Sequence, residues 1–93
     1  MAVDITYDPA KDAANIASRG LSFRRAVEFE FETALIIMDT RRDYGEVRYR
    51  ALGLLADHLH ALVFTMRGET LHVISLRKAN NREVRRYEQA TRS

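Results

Sequence analysis

The chain has no cysteine and no tryptophan, one proline and four glycines among 93 residues. Without cysteine there is no disulfide framework, no zinc ribbon and no thiol nucleophile. The longest apolar run is the five residues Ala34 to Met38, far short of the ~20 that span a bilayer. The opening Met1-Ala2-Val3-Asp4 shows neither the basic nor the apolar region of a secretory signal, so a cytoplasmic protein with no membrane partner is expected. No Gly-x-Gly-x-x-Gly or P-loop occurs, and no glycine elbow surrounds Ser18, Ser22, Ser75 or Ser93. A dinucleotide cradle and a serine triad are therefore unsupported. What remains, 46% hydrophobic and 30% charged, is globular and long enough for one domain over residues 1–93.

Lysine is also scarce: thirteen of the fifteen basic residues are arginine, the exceptions being Lys11 and Lys78. The formal charge of +2 hides an asymmetry, since residues 1–40 carry −3 and residues 41–93 carry +5. Guanidinium forks onto two phosphate or carboxylate oxygens, so the bias fits phosphate recognition or an arginine-rich interface. A GC-rich genome writing arginine codons at ordinary surface positions accounts for it equally well.

Val3 to Tyr7 alternates as a short strand, and Asp8-Pro9 has the form of an N-cap followed by proline at the first helical position. Ala10, Ala13, Ala14 and Ala17 then recur at helical spacing up to Gly20. Ser22 caps a shorter second helix with Phe23, Ala26 and Val27 on one face, and Glu28 to Thr33 is ambiguous. Leu35 to Asp39 reads as a buried strand, and the next alternates Val47, Tyr49, Ala51 and Gly53 with Glu46, Arg48, Arg50 and Leu52. Short turns at Ala56-Asp57 and Arg67-Gly68-Glu69 link Leu59–Met66 and Thr70–Leu76 into an antiparallel meander. Asn80 with Glu83 opens a last helix bearing Val84, Tyr87 and Ala90. The fold class is α+β: an N-terminal strand and two helices packed on a twisted antiparallel sheet of about four strands, then a C-terminal helix.

The densest chemistry runs from Ser75 to Tyr87. Arg77 ends a strand, Glu83 and Tyr87 share a face of the following helix, and Arg82, Arg85 and Arg86 surround it beside Lys78. One reading is a phosphate groove with a phenol inside it; the other is a solvated basic helix anchored by its tyrosine. Arg48 and Arg50 point the same way, about 7 Å apart along one strand. Their charge is answered either by nucleic-acid phosphate or by Glu46. Arg67 sits at a hairpin end suited to a turn or to a ligand, and Lys11 stands at a helix N-terminus as part of a possible anion site. His58 and His60 share a strand face, but a metal would need His72 from the neighbouring strand, with no carboxylate cluster in support. No metal or cofactor is expected.

Four blocks in this order resemble one family, the BrnT-type ribonuclease toxins of bacterial type II toxin–antitoxin modules. They are Tyr7-Asp8-Pro9-Ala10-Lys11 with Asn15; Arg19-Gly20-Leu21-Ser22-Phe23 with Ala26; Asp43 to Tyr49 with Leu52-Gly53; and Val63 to Gly68 running through Ile74 to Ala79, Glu83 and Tyr87. The resemblance implies a RelE-like toxin fold and RNA cleavage that blocks translation. It also implies a ribbon-helix-helix antitoxin encoded nearby, in a heterotetramer that meets promoter DNA through the antitoxin. By motif position it implies functional roles for Arg48, Arg67, Arg77, Tyr87, Glu83 and Lys11. Many members carry histidine where this chain has Arg19 and Arg42, and arginine cannot act as a general acid or base near neutral pH.

RNA can be cut without metal or protein nucleophile, because its 2′-OH attacks the adjacent phosphate. The expectation is that Arg77 and Arg67 clamp that phosphate, Arg48 supports them, and Tyr87 positions or protonates. Lys11 or Glu83 would handle the remaining proton, and Arg50, Lys78, Arg82, Arg85 and Arg86 would bind the strand. The alternatives are a binding module without chemistry, and a degenerate toxin kept for its antitoxin complex.

Overall fold

The computed structural model describes residues 4–92, so the expected strand start at Val3 lies outside the described residues. The elements are β1 (Ile5–Tyr7), α1 (Pro9–Arg19), a 3-10 helix (Phe23–Glu28), β2 (Leu35–Met38), β3 (Tyr49–Leu55), β4 (His58–Arg67), β5 (Thr70–Lys78) and α2 (Asn81–Thr91). Local chemistry sets the ends. Asp8 accepts from the Ala10 N–H, Pro9 takes the first turn of α1, and Gly20 closes it in the left-handed region at φ 66°. Asn80 and Glu83 form a reciprocal capping box at the start of α2.

The sheet order is β1-β5-β4-β3-β2. β2 to β5 form the expected antiparallel meander, but the sheet has five strands and is mixed. β1 joins it parallel to β5, Ile5 facing Leu71 and Tyr7 facing Val73. The Leu71 N–H, otherwise an unpaired edge donor, reaches the Asp4 carbonyl at 2.9 Å. Between β4 and β5 the register shifts: Val63 faces Ser75 while Phe64 faces Val73, which leaves Ile74 as the extra residue.

One face of the sheet carries the core: Leu71, Val73, Leu76, Leu62, Phe64, Ala51 and Leu55. Its cover is the second helix, which is 3-10 rather than α. In a three-residue repeat Phe23, Ala26 and Phe29 eclipse one another; they are 3%, 0% and 4% exposed, while the expected partner Val27 is 61% exposed. The Phe29 ring lies on the Gly53 backbone, so close that a Cβ there would stand 2.6 Å from it.

Three further expectations are corrected. The alanines of the α1 stripe are all exposed, and no residue of α1 is buried among the described residues. Polar ties dock the helix instead: Asp12 accepts from the Phe23 N–H at 2.7 Å, and Asn15 donates to the Leu21 and Leu76 carbonyls. β2 is an edge rather than a buried strand, its Ile36, Ile37 and Met38 exposed because it is the last strand of the sheet and α2 shelters it only in part. On α2, Val84 and Tyr87 are half-buried and Ala90 is exposed.

Two outcomes follow. Gly53→Ala forces Phe29 aside and lowers unfolding stability by about 1–3 kcal/mol, read from chemical denaturation midpoints. α2 has no buried residue and hangs on a two-pronged Arg77–Glu83 pair at 2.7 and 2.9 Å. Glu83→Gln therefore raises amide exchange in α2 by roughly tenfold, about 1–2 kcal/mol, and leaves the sheet protected. The Arg77 guanidinium holds the Glu83 carboxyl below its usual range. Its contribution is thus complete above the unfolded pKa of about 4.3 and is lost only as pH falls through the lower folded value.

Candidate functional site

The sheet face turned away from the core carries most of the arginines singled out in the sequence. Strand pairing lays its residues out in rows. Arg77 faces Ala61, which faces Leu52 and then Leu35. The next row runs Ser75, Val63, Arg50, Ile37. The one after it runs Thr6, His72, Thr65, and Arg48 and Asp39 extend it through the bond from the Asp39 N–H to the Arg48 carbonyl. Arg67, paired with Thr70, stands at the far end. Rows are about 7 Å apart, so roughly 20 Å of strand separates Arg67 from Arg77. These two do not converge on one phosphate as expected; they stand at opposite ends of one track.

The walls of the track are organised by two carboxylates. Asp39, buried at the end of β2, accepts two bonds of 2.8 Å from Arg41 and one of 3.1 Å from the Tyr44 hydroxyl. Chiefly through Arg41, these donors hold its carboxyl far below the ordinary range. Tyr44, fixed in this way, puts its ring 4.2 Å from the Arg48 guanidinium carbon. Glu46 sits loosely between two cations, 3.5 Å from Arg48 Nε and 3.6 Å from an Arg67 Nη. That answers the repulsion foreseen at Arg48, although Arg50 lies 3.9 Å from Asp39 instead. The Nε atoms of Arg48 and Arg50 are buried without a hydrogen-bond acceptor among the described residues.

At the other end α2 forms the wall. A small cavity of about 100 Å³ lies there between Arg41, Arg50, Arg77, Glu83 and Arg86 over a floor that includes Ile37, Leu52 and Val63. Arg77 is committed to Glu83, and the Tyr87 hydroxyl donates to the Thr33 carbonyl at 3.1 Å. The phenol therefore anchors α2, the plainer of the two readings, and Glu83 is an ionised strut. Arg82 and Arg85 are exposed on α2, while Lys78 belongs to the opposite side of the sheet. Lys11 is exposed in the first turn of α1, but the Ala10 N–H beside it is already taken by Asp8.

His72 was weighed in the sequence only as a metal ligand. Pairing excludes that trio: His60 faces Lys78 at one end of β5, and His72 faces Thr65 near the other. Instead His72 shares the arginine track. Its Nδ1 is 2.9 Å from the Thr6 hydroxyl, and burial, then Arg67, lowers its pKa, with Lys11 adding to this and Glu46 and Asp8 opposing it. Only the bulge at Ile74 brings His72 onto the same face as Ser75 and Arg77, since without it residues 72 and 77 point to opposite sides. Asp39 was also missed, its one signal being a carboxylate directly after an apolar strand. Arg19 lies at the other end of the sheet from Arg67, and Arg42 is exposed in the loop after β2.

Among the described residues no helix is long and apolar enough to cross a membrane. The family model for the ribonuclease toxin BrnT of type II toxin–antitoxin systems matches residues 7–83. No curated protein and no solved structure matches the chain. The match runs from Tyr7, the last residue of β1, to Glu83 in the first turn of α2, and takes in Arg48, Arg50, Arg67, His72 and Arg77, so the chain belongs to the BrnT family of ribonuclease toxins, a family defined by an antitoxin partner and an RNA target.

Proposed function

We propose that the outer sheet face is the RNA track of a metal-independent endoribonuclease, and that this toxin acts in the cytoplasm by cutting RNA needed for translation. The observation that carries the reading is the alignment of Arg67, Arg48, Arg50 and Arg77 along one face. Their one-row spacing is comparable with the step between successive phosphates of an extended single strand, and an unstacked strand is what an open sheet face can take.

The scissile phosphate lies where Arg48, Arg67 and His72 meet. Glu46 holds both guanidinium groups at distances longer than a hydrogen bond, so a phosphate displaces it and gains forked contacts. With burial keeping the imidazole mostly neutral at pH 7, His72 takes the proton from the 2′-OH. The 2′-oxygen bonds to phosphorus, the arginines carry the charge that develops, and the bond to the 5′-oxygen breaks. Lys11, exposed in the first turn of the helix that follows β1, supplies the proton to that oxygen. The products are a 2′,3′-cyclic phosphate and a 5′-hydroxyl. Arg77, Glu83 and Tyr87 are positioning residues that hold α2 as the wall, and Arg86 extends the binding track. The antitoxin is of ribbon-helix-helix type, and the complex meets promoter DNA through it.

Purified, antitoxin-free protein is expected to cut a labelled RNA in EDTA and to leave the all-deoxy strand whole, because DNA lacks the attacking hydroxyl. Binding without product would instead favour a binding module or an inactive toxin. His72→Ala lowers the cleavage rate roughly 10²–10⁴-fold, and Arg67→Ala roughly 10²–10³-fold. In the unmodified protein activity falls with acid only below the usual imidazole pKa of about 6.5, and His72→Ala abolishes that limb of the pH–rate profile.

A further inference from the structure

A second cavity lies at the far end of the sheet from Arg67 and is used by nothing described above. It measures about 540 Å³ and is walled by Arg19 and Gly20 at the end of α1, Arg25 of the 3-10 helix, His58 and His60 of β4, and Lys78 of β5, with Leu21, Leu55 and Ala56 as its apolar lining. That volume is in the range of small-molecule sites. Three cationic side chains face one space, and the single carboxylate bound to any of them among the described residues, Glu28, holds Arg25 through two exposed bonds of 3.1 and 3.2 Å that leave its third nitrogen free. Arg19 and Lys78 have no ion-pair partner among the described residues.

The deepest polar group in the wall is His60, 4% exposed. Its Nδ1 lies 2.8 Å from the His58 carbonyl, so it is the donor and the neutral ring keeps its lone pair on Nε2. Nε2 has no partner among the described residues and is not among the fully occluded unpaired atoms, so it opens on the cavity. Burial, reinforced by Arg25 and Lys78, lowers its pKa and keeps the ring an acceptor. The cavity therefore offers cations for a phosphate, one inward hydrogen-bond acceptor and an apolar contact at the exposed Ala56, backed by the edges of Leu21 and Leu55.

We infer that this cavity binds a nucleoside monophosphate group, its phosphate held by Arg19, Lys78 and Arg25 and a hydroxyl or amino group donating to His60 Nε2. The same chemistry arrives either as a free nucleotide or as the phosphorylated end of an RNA. The inference does not depend on the assignment of the cleavage site, because the two sites lie at opposite ends of the sheet.

The test follows the His60 ring resonances and the Leu21 and Leu55 methyl resonances of the full chain by NMR at fixed ionic strength. Adenosine 3′-monophosphate, inorganic phosphate, adenosine and a short 3′-phosphorylated all-deoxy oligonucleotide are titrated separately. The expected result is saturable shifts with the nucleotide, weaker ones with inorganic phosphate, and at least a tenfold loss of affinity in Arg19→Ala/Lys78→Ala. Both substitutions are at exposed positions, and a folded spectrum of the variant confirms that the site alone has changed. Saturation by the oligonucleotide at lower concentration than by the mononucleotide assigns the site to strand ends, and the reverse assigns it to free nucleotide. Unshifted His60 resonances, equal shifts with adenosine alone, or unchanged affinity in the double variant would overturn the inference.

Discussion

One face of this five-stranded sheet carries the core, and the rest of the molecule follows from how little covers the other. The apolar side chains go to the face under Phe23, Ala26 and Phe29. The other face, sheltered at one end by a helix with no buried residue, must tolerate water, and its positions mix arginine, threonine and histidine with a strip of Leu52, Ala61 and Val63 near α2. Long guanidinium side chains lay their apolar stems along such a surface while their heads stay wet. The same face that cannot be made into a core thus becomes the place where an anionic chain can lie.

Because the helices contribute so little apolar area, they are held by hydrogen bonds aimed at particular atoms. Asp12 and Asn15 hold α1, while the Arg77–Glu83 pair and the Tyr87 hydroxyl hold α2. Such ties are directional and individually modest. They fix where a helix sits without making the sheet depend on it. Asp39 does the same for the loop after β2, gathering Arg41 and Tyr44 so that the tyrosine ring ends beside Arg48.

What the sequence showed was local. The caps at Asp8, Ser22 and Asn80 and the turn at Ala56-Asp57 each depend on a few neighbouring residues, and each is present, while the alternation read from Val47 to Gly53 holds only from Tyr49, where β3 begins, Val47 being exposed before it. What it concealed depended on partners far along the chain. The Leu-Ile-Ile-Met run of β2 has the pattern of a buried strand, and only its place at the sheet edge exposes it. The Phe23 segment was assigned a period of 3.6 where the structure uses 3. His72 could not be joined to the arginines because a single extra residue, Ile74, reverses the inside–outside count along β5. Arg77 and Glu83 were both placed correctly on their elements, yet their mutual capture requires the docked helix, which no local pattern specifies.

The parallel pairing of β1 with β5 joins residues 66 positions apart, Ile5 beside Leu71. A ribosome delivers the first of these long before the second. Until β5 has emerged, β1 has no strand to pair with, Thr6 has no imidazole to contact, and Arg67 and Arg77 are not aligned on a common surface. The nascent chain therefore lacks this aligned arginine face until β5 has left the ribosome, however early β1 emerges.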